Sequence, residues 1–338
     1  MATLVAAVIL SVACERSSHV ADVSTVLLPS EADDFYGVAW LPDGEMVVGR
    51  RVGDADDARL AVIDPADGSA RNIVLAEDGR CWRERHLSPT ALPDGRLGFV
   101  HVCMHDADNH PPDETEIRAL DVSSGVVERL IAIGPLGITQ NVQFTAAPSL
   151  REAVVAVGAG ICGGLVIYSA AGVPRQFAVE IEGAGRQFSL ATPVNLDGHC
   201  DDTGTAFSPD FSPDGEMLAF FASPAAVGVS GLDRLKVTSN LYLLELATNE
   251  VRSAVNDVFD PGVLRWSPNG RSMAFSGEIA GEGALWLVNR TGDVRRLADP
   301  ASDIAWSPDG KALFATVPAG DLLLQRLVLI PVPVDPDS

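Results

Sequence analysis

The chain has 338 residues, and its 24 Lys and Arg are outnumbered by 46 Asp and Glu, so the formal net charge is −22 at pH 7. Proteins that bind nucleic acid neutralise phosphates with clustered basic side chains, so this charge excludes a nucleic-acid partner. Hydrophobic residues make up 47% of the chain and charged residues 21%, which excludes global disorder and indicates a buried core.

A short apolar run occupies residues 2–13, directly before Cys14. A helix needs about 20 apolar residues to cross a bilayer, so the run is too short to span one and is typical of a signal-peptide core. Ser11 and Ala13 before Cys14 resemble a bacterial lipobox, in which the cysteine becomes the lipidated N-terminus, and they also suit ordinary signal cleavage. We expect residues 1–19 to be a signal or lipobox segment. The mature protein is then periplasmic or extracellular, and a lipid on Cys14 is its only attachment to the membrane.

Four further cysteines follow this segment: Cys81, Cys103, Cys162 and Cys200. An even number in an exported protein predicts disulfides, with three possible connectivities. The sequence has no Cys-x-x-Cys pair and no Cys/His spacing of the zinc-finger kind, so it does not predict a structural zinc site.

A recurring turn organises the rest of the chain, and its first copy ends in Leu41-Pro42-Asp43-Gly44. Proline presets φ at the second turn position, Asp or Asn tolerates the third, and Gly takes the left-handed position that follows, so each copy predicts a hairpin turn between two strands. Five copies occupy residues 38–44, 90–95, 210–215, 264–270 and 304–310.

A third and a fourth apolar strand follow most of these hairpins, and four antiparallel strands per repeat is the pattern of a propeller blade. Gly95 and Gly215 are 120 residues apart, which leaves room for a degenerate repeat without the Asp-Gly. We therefore predict an all-β protein, a six-bladed β-propeller over residues 20–332 with a tail at 333–338. The last repeat lacks a fourth strand, and residues 23–28 can supply it, which closes the ring and hides both sheet edges.

The repeat carries a family resemblance. Its Trp-Ser-Pro-Asp-Gly turn, followed by a strand such as Met217-Leu218-Ala219-Phe220 and then by a Leu-Trp/Tyr-Leu strand, resembles the TolB-type propeller repeat, a WD-like repeat. The resemblance implies six blades. That family carries an α/β domain ahead of its blades, and we expect this chain to lack it, because its first repeat begins soon after Cys14.

Propeller topology places the starts of the first strands on the face opposite the turns. A negative potential at that channel mouth would attract a divalent cation such as Ca²⁺, a basic peptide or a cationic ligand. The alternative is that each Asp caps a turn locally. The candidate ligand-binding residues are Asp34, Glu84, His86, Asp201, Asp202, Asp260 and Asp303.

The loop after the second strand of the second repeat lies on the same face and is rich in possible metal ligands. The alternative interpretation is a solvated loop that Cys81–Cys103 and Cys162–Cys200 disulfides hold in place. The candidate ligands of a divalent metal are His101, His105, Asp106, Asp108 and His110.

The sequence contains no Gly-x-Ser-x-Gly, phosphate-binding Gly loop or His-Glu-x-x-His motif, which favours a binding module over an enzyme. We expect a monomeric scaffold of the bacterial cell envelope with a protein or peptide partner. The alternative is a propeller hydrolase of lactonase or glycosidase type, with a metal or carboxylate site at the channel mouth. Trp40, Trp266 and Trp306 occupy the same repeat position and are expected to pack between blades.

Overall fold

In a computed structural model of the protein, most of the described residues lie in β-strands, which confirms the all-β class. In this part of the chain, no helix has the length and apolar character needed to cross a bilayer. The described residues are 24–25, 35–51, 58–76, 79–105, 114–134, 142–157, 164–170, 174–175, 178–180, 187–189, 205–223, 238–319 and 321–333.

The first three units are separate four-stranded antiparallel sheets, and a two-stranded hairpin follows them. The first unit contains β2 (Phe35–Trp40), β3 (Met46–Arg51), β4 (Ala58–Ile63) and β5 (Ala70–Asn72). The second contains β6 (Arg83–Ala91), β7 (Leu97–Met104), β8 (Glu114–Leu120) and β9 (Val127–Gly134). The third contains β10 (Gln143–Ala146), β11 (Glu152–Val157), β12 (Gly164–Ser169) and β13 (Pro174–Arg175). The separate hairpin consists of β14 (Ala178–Glu180) and β15 (Gln187–Ser189).

The fourth and fifth units share one eight-stranded sheet, because the end of β19 pairs with β21. The fourth contains β16 (Thr205–Phe211), β17 (Met217–Ser223), β18 (Ser239–Glu245) and β19 (Glu250–Phe259). The fifth contains β20 (Leu264–Trp266), β21 (Ser272–Ile279), β22 (Glu282–Asn289) and β23 (Val294–Ala298). The last unit contains β24 (Asp303–Trp306), β25 (Ala312–Ala319), β26 (Asp321–Pro331) and β1 (Ser24–Thr25).

The N-terminal strand closes the last unit, as the sequence predicts. Strand β1 lies antiparallel to β26, with Ser24 opposite Leu329 and Thr25 opposite Val328. The degenerate repeat is also present, as the third unit. The count of six blades stays a prediction, because segments between the third and fourth units lie outside the described residues.

The turns form by the local chemistry that the sequence indicates. In the first turn, Asp43 Oδ1 accepts a hydrogen bond from the N–H of Glu45 at 3.0 Å, and Gly44 has φ of 97°. In the other turns too, the side-chain oxygen of the third turn residue accepts a hydrogen bond from the backbone N–H two positions later. These residues are Asp94, Asp214, Asn269 and Asp309.

The hydrophobic core is divided among the seams between neighbouring units. Phe99 packs with first-unit residues, and Phe144 of the third unit packs with second-unit residues. Phe314 of the last unit lies in one buried cluster with Met46 of the first, so the first and last units are also packed together. Each fully buried side chain of this size stabilises the fold by about 2–3 kcal/mol. The packing of these seams holds the inner strands around a central cavity.

Candidate functional site

One side-chain position in every unit lines the central cavity on the turn face. It is the third residue before the turn proline in each of the described units, and the cavity has a volume of about 440 Å³. Most of these residues have small side chains, but the fourth unit contributes an acidic residue, Asp210, and the fifth unit a basic residue, Arg265. The set is Ala39, Thr90, Thr145, Asp210, Arg265 and Ala305.

The rim of the cavity is made by the turn prolines. Proline lacks an N–H, so this rim presents rings and carbonyl oxygens and no main-chain donor at these positions. Trp40, Phe211, Trp266 and Trp306 add aromatic surface to the lining. We call this cavity, with its rim, the funnel. The rim prolines are Pro42, Pro93, Pro148, Pro213, Pro268 and Pro308.

Asp210 connects three units at the base of the funnel. Its Oδ1 accepts a hydrogen bond from the Thr145 hydroxyl at 3.0 Å, and its Oδ2 accepts one from the Trp266 N–H at 2.6 Å. Burial raises the pKa of Asp210, although the positive charge of Arg265 and these two donors oppose the rise. The carboxyl group is therefore both a structural tie and a perturbed acid in a cavity.

Arg265 is the cationic group of the described funnel lining, and its charge acts on two acids, Asp210 and Asp303. Its Nη1 donates a hydrogen bond to the Leu264 carbonyl at 2.9 Å. Burial raises the pKa of Asp303 as well, and both Arg265 and a hydrogen bond from the Gly37 backbone act against that rise. The funnel base thus offers a guanidinium donor beside carboxylate acceptors.

A layer of hydrogen bonds below the funnel joins the inner strands. The Ser208 hydroxyl lies 2.9 Å from Gln143 Oε1 and 3.0 Å from the Gly262 carbonyl, which links the third, fourth and fifth units. Ser88 donates to the Val142 carbonyl and so links the second unit to the third. Ser88 and Ser208 both have φ of 51°, at a register shift of their strands. These contacts fix the base of the funnel.

The repeated tryptophans also join units. Trp266 Nε1 donates to the Asp210 carbonyl, and Trp306 Nε1 donates to the Arg265 carbonyl, each at 3.1 Å. The prediction that these two side chains pack between blades is confirmed. Their indole N–H groups are consequently engaged within the protein.

The structure brings Glu84, His86 and His101 together between the first two units. His86 lies opposite His101 on paired strands, with ring centroids 5.3 Å apart, and His86 Nε2 is 3.7 Å from Glu84 Oε2. Burial, followed by the charges of His101, Arg59 and Arg118, lowers the pKa of His86 to about 3. His86 is therefore neutral near pH 7.

The predicted Cys81–Cys103 disulfide is present, with an S–S distance of 2.08 Å. His105 lies next to it, with Nε2 3.7 Å from Cys103 Sγ and Nδ1 3.2 Å from the Arg80 carbonyl. Cys81 Sγ, a Glu84 oxygen and a His101 ring nitrogen all lie within 4.8 Å of one another. These residues form a compact group of possible metal ligands at the end of the second unit.

The remaining predicted residues are not gathered into one described site. Asp303 is half-buried and the charge of Arg265 acts on it, whereas Asp260 is in an exposed bend after β19 with φ of 46°. The acidic ring at the opposite mouth and the histidine-rich loop stay predictions. The predicted residues outside the described part of the chain are Cys14, Asp34, Asp106, Asp108, His110, Cys162, Cys200, Asp201 and Asp202.

Asp210 and Arg265 are functional candidates that the sequence interpretation missed. Both sit directly before the aromatic residue of a repeat, where the first and last units have Ala39 and Ala305. One signal in the sequence could have found them. Consecutive repeats have an acidic and a basic residue at a position where the other repeats have a small residue.

Comparison with known proteins agrees on the architecture. TolB from Acinetobacter baumannii has a TM-score of 0.52 and 15% identity, and the match covers 89% of this chain and 64% of that one. An oligogalacturonate lyase solved in complex with manganese has a TM-score of 0.51 and 13% identity, over 90% of this chain and 78% of that one. Both are β-propeller proteins. The chain has the β-propeller fold.

Similarity in sequence covers a smaller part of the chain than similarity in structure. No family model matches the chain. A Bacillus subtilis protein named "Uncharacterized peptidase YuxL" is 31% identical over 126 residues, which are 33% of this chain and 17% of that protein. The propeller therefore spans a small part of this relative's length.

Proposed function

We propose that the protein is an exported β-propeller that binds an extended basic segment of a partner protein in the funnel, as a binding module of the bacterial cell envelope. The observation that carries the proposal is the funnel itself. Its volume of about 440 Å³ is within the usual range for ligand sites, and it opens on the turn face.

The lining suits a polypeptide. Aromatic and proline rings can hold apolar side chains, while the Arg265 guanidinium can donate to a main-chain carbonyl and Asp210 can accept from an N–H. Acidic turn residues such as Asp43 and Asp94 follow the rim prolines, and the net charge of −22 adds to their attraction for a basic segment.

Two of the three hydroxyl groups in the described lining, those of Thr145 and Ser212, are already engaged, which supports binding over acyl transfer. Thr145 donates to Asp210, and Ser212 donates to Asp214 within its own turn. A nucleophile needs a neighbouring base within hydrogen-bond reach. In the part of the funnel that the structure describes, no histidine is present to serve as that base.

A peptide display library panned on the full chain tests this function. We expect enriched basic peptides to bind the wild-type protein and to lose at least ten-fold in affinity on Ala91→Trp, which fills an exposed position of the lining. Ala66→Trp adds the same side chain in an exposed turn outside the lining and should bind as the wild type does. Peptides that bind both variants equally would place the site elsewhere.

Export and lipid anchoring are part of the same proposal. The apolar segment before Cys14 supports them, and so does the Cys81–Cys103 disulfide, because disulfides persist in oxidising compartments. Mass spectrometry of the mature N-terminus provides the test. A diacylated Cys14 supports the anchor, and an unmodified N-terminal residue other than Cys14 contradicts it.

A propeller hydrolase is the second candidate, because Arg265 interacts electrostatically with two acids, Asp210 and Asp303, whose pKa values are raised by burial. The partial match to a protein named as a peptidase also favours it. Peptide, lactone and glycoside substrates should be assayed with and without divalent ions. Turnover that disappears in Asp210→Asn would favour this candidate over the binding module.

A further inference from the structure

The Cys81–Cys103 disulfide ties the chain just before β6 to the end of β7, at the end of the second unit away from its Pro93-Asp94-Gly95 turn. Cys103 is 3% exposed and His101 is 1% exposed, whereas Cys81, Glu84 and His105 are half-buried. This group lies apart from the funnel, and its role does not depend on the proposed function.

The ring orientation of His105 is that of a metal ligand. A carbonyl oxygen can only accept, so the 3.2 Å contact between Nδ1 and the Arg80 carbonyl places the proton on Nδ1. The neutral ring then has its lone pair on Nε2, which is the nitrogen 3.7 Å from Cys103 Sγ. Metal-binding histidines usually donate their other N–H to such a carbonyl, which fixes the tautomer.

His101 brings a second imidazole to the other sulfur of the disulfide, that of Cys81. One of its ring nitrogens lies within 4.8 Å of Cys81 Sγ, and Glu84 adds a carboxylate oxygen within the same distance. Ligands bound to zinc at about 2.0–2.3 Å in a tetrahedron stand roughly 3.5 Å apart. Reduction frees the two sulfurs, now 2.08 Å apart, to separate to this spacing, and each already has an imidazole nitrogen near it.

We propose that Cys81, Cys103, His101 and His105 form a redox-gated zinc site. The disulfide closes the site, and reduction by a dithiol opens it. The reduction transfers two electrons and two protons from the dithiol to the cysteine sulfurs, which become two thiols, while the dithiol becomes a cyclic disulfide. Each thiol then loses a proton as Zn²⁺ binds, so the metal takes two thiolates and two neutral imidazoles.

This ligand set differs from the one that sequence spacing predicts. It keeps His101 and His105 of the predicted metal loop and replaces the loop carboxylates with sulfur, which zinc prefers. The ligands come from both ends of a hairpin, and the cysteines are 22 positions apart in sequence, so no short zinc motif is visible.

Titration of the full chain with Zn²⁺ alone tests the proposal, by calorimetry on the oxidised protein and on protein reduced with a phosphine. In that reduction water supplies the two protons and the phosphine becomes its oxide. We expect the reduced protein to bind one Zn²⁺ per chain at this site and the oxidised protein to bind none there. Co²⁺ should give the visible absorption of tetrahedral thiolate ligation in the reduced protein only.

Two variants separate the ligands from other effects. His105→Asn leaves the disulfide intact and should weaken Zn²⁺ binding at least about ten-fold after reduction. Cys162→Ser with Cys200→Ser removes two other thiols and should leave binding unchanged. Equal Zn²⁺ binding by oxidised and reduced protein, wild-type affinity in His105→Asn, or loss of binding in the Cys162/Cys200 double variant would each overturn the site.

Discussion

Trp266 donates two hydrogen bonds to Asp210 across the seam between the fourth and fifth units. Its backbone N–H reaches the carboxylate at 2.6 Å, and its indole Nε1 reaches the Asp210 carbonyl at 3.1 Å. The same carboxylate accepts from Thr145 of the third unit. One acidic side chain therefore holds three inner strands in place around the funnel.

Asp210→Ala should lower the free energy of unfolding by about 2–3 kcal/mol, because it leaves the Trp266 N–H and the Thr145 hydroxyl without their acceptor. Asp210→Asn keeps one acceptor oxygen and should cost less. Chemical denaturation of the three proteins measures the order. Equal stability of wild type and Asp210→Ala would show that the tie contributes nothing.

His86 should make the protein less stable in mild acid. Burial lowers its pKa from 6.5 to about 3, so between these values the unfolded chain binds a proton that the folded chain does not. Stability therefore falls as the pH drops below 6.5, and His86 accounts for a loss of about 2 kcal/mol between pH 7 and pH 5. Urea unfolding at the two pH values measures this loss.

His86→Phe is the matched control for that experiment. Phe cannot take up a proton, and it can pack against Phe99, which His86 contacts edge-on at 5.4 Å. The variant should show a pH dependence weaker than the wild type by about 2 kcal/mol over the same interval. Identical pH dependence in the two proteins contradicts the assignment to His86.

The sequence predicted features that depend on local chemistry or on repetition. The Pro-Asp-Gly turns, the degenerate third unit and the pairing of Ser24 and Thr25 with the last unit all follow from periodicity and edge closure. The funnel residues did not follow, because the role of Asp210 arises from partners 56 and 65 positions away, Trp266 and Thr145. Such contacts depend on strand register, which a single repeat pattern does not set.

The burial of His86 and His101 could not be read from the sequence for a related reason. The alternation of polar and apolar residues along β6 and β7 does not reveal which face meets the first unit. The prediction of a solvated, histidine-rich loop therefore placed His101 outside the core, whereas its side chain is 1% exposed.

Proline in β1 should loosen the closure of the ring. Ser24 and Thr25 pair with Leu329 and Val328, and adjacent antiparallel pairs alternate between hydrogen-bonded and non-bonded types, so replacing both residues removes a ladder donor. The Ser24→Pro/Thr25→Pro variant should lose about 1–3 kcal/mol of stability. The Ala/Ala variant retains both N–H groups and should be close to wild type. Thermal unfolding distinguishes the two, and equal melting temperatures would count against closure by β1.

Two turn glycines with nearly the same φ should respond differently to alanine. Gly44 has φ of 97° and open space where a Cβ would be, whereas a Cβ on Gly292, with φ of 95°, would lie 2.5 Å from the Ala254 carbonyl oxygen. Gly44→Ala should cost about 1 kcal/mol from the left-handed conformation alone. Gly292→Ala should cost at least about 1 kcal/mol more, since main chain must move. Denaturant unfolding gives both values, and equal losses would mean that the Ala254 contact relaxes freely.

Strand β19 makes the seam between the fourth and fifth units harder to open than the other seams. Its last residues, Val258 and Phe259, pair with Ile279 and Glu278 of the next unit, so main-chain hydrogen bonds cross this seam, while the other described four-stranded units are separate sheets. Transient parting of neighbouring blades should therefore begin elsewhere in the ring. Amide protons along residues 250–259 and 272–279 are then expected to exchange with solvent among the last in the protein, and the fourth and fifth units to unfold as one cooperative block.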